Sequence, residues 1–179
     1  MIKDLVASVA CILTAYFVAI AATVEGLLLY GAPIILLCAV VSFVVHWIIA
    51  VPSVLTSSEK YFDLTGMIAT LLVVFTAMFA LLNSGQQGSI RSIIVAIFVS
   101  IWTLRLGTFL YKRIVKSGED TRFREIKKSL PKFLMAWTLS ALWVFLTTVN
   151  AITIIALNPQ EPLGPFFLIG VILWFLGFA

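Results

Sequence analysis

Six stretches of this chain are too long and too apolar for the surface of a water-soluble fold. They run Leu5–Leu28, Ile34–Ala50, Asp63–Leu82, Ile90–Tyr111, Phe133–Leu157 and from Phe166 to the final Ala179. A bilayer core takes about 20 apolar residues per helix. Backbone polar groups in lipid must be satisfied internally, so each run is expected to be a helix. The remaining composition agrees: 62% of residues are hydrophobic and 11% are charged, where a soluble domain carries roughly a quarter charged. The expected fold is an all-α polytopic transmembrane bundle of about six spans, in one domain over residues 1–179. A soluble globular domain is excluded. The first run lacks the small-residue cleavage signal of a removed leader.

The breaks between runs have recognisable chemistry. Gly31-Ala-Pro33 interrupts the first pair, with Pro33 suited to the first turn of a new helix. The second run closes near Pro52. Asn83 to Gly88 is a turn-rich loop, and Asn158 to Pro165 contains three prolines. Cys11 and Cys38 both lie within apolar runs and read as small core residues, with no CxxC and a single histidine to suggest a metal.

Charge sets an expected orientation. Eight of the twelve basic residues fall between Lys112 and Lys132. In a chain this apolar they mark a cytoplasmic loop near anionic lipid, not a nucleic-acid surface. The N-terminus with Lys3 and the loop with Lys60 then share the cytoplasmic side. Gly31, Gln86 and Pro159 face the other side. The last run, Pro165 to Ala179, gives roughly 22 Å of helix against a hydrocarbon core of about 30 Å. It is expected either to lie tilted at the interface or to belong to a chain that continues further.

Polar residues within spans are costly and therefore informative. Arg105 sits near the cytoplasmic end of the fourth span. It either snorkels to the interface or holds an anionic group such as a phosphate. The second alternative predicts a guanidinium turned inward, toward a pocket bounded by Glu59 and Asp63. His46 and Asn150 suit helix-to-helix hydrogen bonding, and Glu25 suits the far interface. Ser57 to Gly66 is a polar loop in which Glu59, Tyr61 and Asp63 are candidate acids, bases or donors; the plainer alternative is a helix entry capped by Asp63. Ser117 to Pro131 resembles a short interfacial helix, with Asp120 as N-cap and Phe123, Ile126 and Leu130 on one face. Arg124 and Lys128 then point to water.

Two of these segments carry a family resemblance. Ser58-Glu-Lys-Tyr-Phe-Asp-Leu-Thr-Gly66 resembles a Thr-Glu-Lys-Phe-Tyr-Asp-Leu-Thr-Gly signature. Ile101-Trp-Thr-Leu-Arg-Leu-Gly107, with Arg113-Ile114, Gly118-Glu-Asp120, Arg122-Phe123 and Ile126, resembles a second block that continues through Trp137 and Trp143. Both belong to an uncharacterised membrane family grouped with steroid 5-alpha reductases, and the match runs from His46 onward. The resemblance implies a steroid 5-alpha-reductase-like helical fold. It also implies NADPH entering from the cytoplasmic side and reducing a double bond of a lipid-like or steroid-like enone. Glu59, Tyr61 and Asp63 would lie near the reacting end, and Arg105, Asp120, Arg122 and Arg124 near the cofactor mouth. Isoprenylcysteine methyltransferases are more distant relatives of similar build. Ser140 and Asn150 stand where that family usually has glutamine and proline. Its C-terminal Ala-Asp-x-Gln-Lys and Arg-His-Pro-Asn-Tyr segments are not found in these residues, so the chain is expected to be inactive alone. The alternative is a non-catalytic subunit or scaffold, with a partner protein at the last helix.

Overall fold

The computed structural model describes residues 2–23 and 27–178. It is an all-α bundle of α1 (Ile2–Ala21), α2 (Ile34–Leu55), α3 (Phe62–Asn83), α4 (Ile90–Ser117), α5 (Phe123–Ile126), α6 (Leu130–Leu157) and α7 (Pro165–Phe178). A two-stranded hairpin, β1 (Leu28–Leu29) and β2 (Ala32–Pro33), joins α1 to α2. Five helices, α1, α2, α3, α4 and α6, are long and apolar enough to cross a membrane. The chain is an integral membrane protein. α7 spans 14 residues, about 21 Å of helix, and buries none of its side chains.

Several helix ends differ from expectation, each for a local reason. α1 stops at Ala21 instead of reaching Leu28, because the chain turns back through the hairpin. Tyr30 and Gly31 take positive φ (51° and 80°), as a two-residue type I′ turn requires. Pro33 is the residue before α2, not part of its first turn. Glu25 lies outside the described residues. Pro52 sits inside α2, which continues to Leu55; a single missing N–H costs one helical bond, which a packed membrane helix tolerates. α4 runs six residues past Tyr111. Lys112, Arg113 and Lys116 suit a helix C-terminus, and Gly118 at φ 81° ends the helix. α6 begins at Leu130, with Pro131 in its first turn.

α6 is the hub, packing against α1, α2, α3 and α4. Its seam with α2 is polar and buried. The Ser42 hydroxyl donates to the Ala141 carbonyl at 2.8 Å, and the Trp47 indole N–H to Thr138 at 3.2 Å. His46 contacts Ser140 in the same seam. Such bonds between helices replace the hydrophobic drive that lipid cannot supply. Asn150, expected to act likewise, lies on an exposed face of α6; it is two residues from Thr148, which is fully buried, so helical rotation turns it away. α3 and α4 meet closely where Gly107 faces Met67. A Cβ on Gly107 would come within 2.5 Å of Met67 Cβ, so only glycine permits this crossing.

The bundle has two distinct ends. Hydrogen bonds bring the loop before α3 to the segment after α4 at one end. At the other end, Asn158 closes α6 in the left-handed conformation. Its side chain accepts from the Ser89 N–H at 2.7 Å and donates to the Gln87 carbonyl at 3.0 Å and to Gln86 at 3.3 Å.

Candidate functional site

The most polar part of the chain forms a cap over the first end. Glu59, 5% exposed, accepts a hydrogen bond from the Asp120 backbone N–H at 2.9 Å and another from the Lys127 ammonium at 2.7 Å. Burial pushes its carboxyl up, but the Lys127 and Asp120 donors outweigh that and hold it below the ordinary glutamate range. Asp120 grips Arg122 through both carboxylate oxygens and also accepts the Arg122 backbone N–H. The Arg122 guanidinium keeps the Asp120 carboxyl below its usual range. Arg113 lies between Asp63 and Asp120, at 3.7 and 3.9 Å. Arg124 pairs with Glu119, and Lys128 with Glu125.

Asp120 is therefore an anchor of the turn that starts α5, not the N-cap, which is Arg122. The segment from Gly118 to Ser129 is a strap with one short helix. Phe123 is buried against Phe62 and Phe133, in a cluster that includes Trp137. Leu130 is exposed and opens α6. Arg124 and Lys128 are exposed, as expected.

Beneath the strap lies a cleft of about 650 Å³ between α3, α4 and α6. Asp63 and Arg122 mark its polar end. Gly66, Met67, Leu106, Gly107 and Val144 give it apolar walls, and Ser140 and Thr147 add hydroxyls. The bare Cα of Gly66 widens it, since a Cβ there would meet only Val144, at 3.9 Å.

The expected site residues fall into three places. Of Glu59, Tyr61 and Asp63, only Asp63 lines the cleft. Glu59 is committed to the strap, and Tyr61 stacks on Tyr111 with ring centroids 6.3 Å apart. Asp120, Arg122 and Arg124 gather in the cap, but Arg105 does not join them. Its guanidinium lies 4.4 Å from the Phe178 ring, beside a second cleft of about 550 Å³ that Trp102, Thr108 and Lys112 also line. The inward-facing arginine is thus corrected. The buried face of α4 is set by Thr103 and Gly107, and Arg105, two residues from each, is turned away from it.

A nicotinamide cofactor would bring phosphates, and phosphates need cations free to bind them. Arg122 and Arg124 are each paired with a carboxylate. The donor set of the cap is self-neutralised and does not fit a phosphate. Lys127 and Arg113, which pair with the carboxylates of the cap, and Ser140, which lines the cleft, are positions that spacing did not single out. The run of alternating sign from Glu119 to Lys128 was the available signal for a self-paired cap, since seven of its ten residues include charges of both signs within one turn of each other.

Fold and site together define a polytopic α-helical membrane protein with a cleft between its helices and a charged cap at one end. A family model described as a protein of unknown function, DUF1295, matches residues 46–179, and the chain belongs to that family. No curated protein and no solved structure matches it.

Proposed function

We propose that this chain is the lipid-binding membrane part of a reductase. The complete protein would reduce a double bond of a lipid-like or steroid-like molecule with NADPH, and the capped end would face the cytoplasm. The observation that carries this reading is the cleft, mostly apolar along α3, α4 and α6, with hydroxyls from Thr70, Thr103, Ser140 and Thr147 and its charged groups, Asp63 and Arg122, at one end. A pocket with apolar walls and a few convergent polar groups suits an amphipathic ligand of lipid size. Asp63 touches Arg113 only at 3.7 Å, so its carboxylate retains acceptor capacity for the ligand's polar end and is the group placed to hold or move a proton there. Glu59 positions the strap that roofs the site. The reductase chemistry rests on the resemblance to steroid 5-alpha reductases. Arg122, Arg124, Lys127 and Lys128 of the cap are already paired with carboxylates. The basic end is assigned to the cytoplasm by its lysines and arginines.

The test is photo-crosslinking of a diazirine-bearing sterol to the chain in lipid nanodiscs. Labelling is expected at Met67, Leu106 and Val144, and Gly66→Leu is expected to remove it by filling the cleft. Labels spread evenly over α1 and α2 would overturn the cleft reading and favour a non-catalytic assembly subunit. The reductase half is checked separately, by mass spectrometry of NADPH-dependent double-bond loss in membranes carrying the complete gene product. Binding without that loss would remove the reductase half alone.

A further inference from the structure

The threonines of α3, α4 and α6 follow one rule, with a single exception among the described residues. Every other threonine in these helices donates its hydroxyl to the carbonyl four residues earlier, at 2.6–2.9 Å. Thr103 makes no such bond, and its side chain has no other partner. It is 4% exposed and lines the cleft beneath the strap. The fully enclosed side-chain atoms without a partner, among the described residues, are Arg91 Nε and Trp137 Nε1. Thr103 Oγ1 is not one of them, so the hydroxyl opens into the cleft. A buried hydroxyl without a partner is costly. The cleft opens sideways past Leu139 and Trp143, both exposed on the outer face of the bundle. At that depth the surroundings are lipid, not water, so the missing partner must arrive with the ligand.

Two close approaches fix the depth of Thr103. A Cβ on Gly107 would meet Met67, and one on Gly66 would meet Val144, so these positions share a level. α3 and α6 run one way along the bundle and α4 the other. Asp63 at the start of α3 meets Arg113 near the end of α4, and Phe62 packs on Trp137 early in α6. Thr70 follows Gly66 by four residues, Thr147 follows Val144 by three, and Thr103 precedes Gly107 by four. All three line the cleft, and together they form a second polar level about one helical turn below the first. Thr70 and Thr147 have spent their protons on the Gly66 and Trp143 carbonyls, so they offer lone pairs and Thr103 holds the free proton. Asp63 precedes Met67 by one turn, which places the second level roughly 10–12 Å below the charged end. We infer that Thr103 is a specificity-determining residue that selects lipids with oxygen at both ends of a rigid body, the reacting end at Asp63 and a second oxygen at Thr103. This rests on the reading that the cleft takes a lipid-like enone. Thr103 donates to the second oxygen. A carbonyl there is satisfied by that bond, and a hydroxyl also returns its own proton to Thr70 or Thr147. The level thus reads the presence of an oxygen, not its oxidation state. A ligand with only hydrocarbon at that depth leaves the Thr103 donor unpaired in a dry site.

The experiment measures equilibrium binding of androst-4-ene-3,17-dione and androst-4-en-3-one to the chain in nanodiscs, each against empty nanodiscs to remove partitioning into lipid. The two share one rigid enone skeleton and differ by the oxygen at the far end. The dione is expected to bind roughly tenfold tighter, the worth of one hydrogen bond in a dry site. Thr103→Val keeps the shape without the hydroxyl and should erase that preference, with Thr103→Ala in its place if the valine variant fails to insert. Thr103→Ser keeps the hydroxyl and should retain the preference. Equal binding by the unaltered chain, a preference that survives Thr103→Val, or one lost in Thr103→Ser as well, overturns the inference while the cleft reading stands. Binding of neither steroid overturns the inference, and the crosslinking at Met67, Leu106 and Val144 then decides whether the cleft reading falls with it.

Discussion

Replacing Glu59 with alanine should release the strap without unfolding the bundle. Glu59 is 5% exposed and receives two hydrogen bonds, from the Asp120 N–H at 2.9 Å and the Lys127 ammonium at 2.7 Å. Removing one partner of a buried ion pair costs about 3–5 kcal/mol. Lys127 is 22% exposed and turns to water once freed, which places the cost near 3 kcal/mol. At 1.36 kcal/mol per factor of ten, local opening should rise by roughly a hundredfold. Hydrogen–deuterium exchange in nanodiscs reads this directly. Amides from Gly118 to Lys128 should exchange faster, while those of α2, α3 and the Asn158 end stay unchanged. Exchanging the charges, Glu59→Lys with Lys127→Glu, should recover part of the protection, because it restores the ion pair but not the Asp120 bond. The effect has a pH counterpart. The Glu59 carboxyl is held below its ordinary range in the fold. Its contribution is therefore complete above the unfolded value and is lost as pH falls through the lower, folded one. Unchanged exchange in the single variant would refute the latch. Faster exchange throughout the chain would show that Glu59 supports the whole bundle instead.

Three further outcomes follow from the geometry. Gly107→Ala places a Cβ 2.5 Å from Met67 Cβ and should cost about 1–3 kcal/mol through overpacking, seen as a lower unfolding temperature in detergent. Asn158→Ala leaves the buried Ser89 N–H without its acceptor and should cost about 1–3 kcal/mol, with faster exchange confined to residues 84–92. Single cysteines at positions 60 and 116 should be labelled by an impermeant thiol reagent from one face of the membrane and a cysteine at 86 from the other. Labelling of 60 and 86 from the same face would contradict the two-ended bundle.

The spans were legible because lipid imposes one rule on every residue within it. α3 lies within a residue or two of its expected limits, since Asp63 and Asn83 bracket an unbroken apolar run. Hydropathy was silent where the helix left the lipid. Lys112 to Ser117 continue α4 because their charges suit its end, and Leu28–Leu29 are as apolar as any span yet turn back in a hairpin. The site was harder to foresee. Asp63, Asp120 and Arg122 do converge, but spacing along the chain does not reveal which carboxylate takes which cation. Glu59 binds Lys127, 68 positions away. Arg105 was misplaced because two residues of helix separate an inward face from an outward one. Ser140 carried no local pattern, and only the crossing of α2 with α6 gives it a role.

The position of α6 as hub has a consequence in time. Ser42 and His46 are fully buried, and each meets a partner on α6. His46 and its partner Ser140 are separated by 94 positions. At about 5–20 residues per second of synthesis, the histidine waits roughly 5–20 seconds in the membrane before its partner is made. Throughout that interval α2 can pack on α1 and α3, but the partners of Ser42 and His46 on α6 are still missing. The dangerous period in the life of this protein is thus its own translation, and a pause between Lys60 and Leu130 would prolong it.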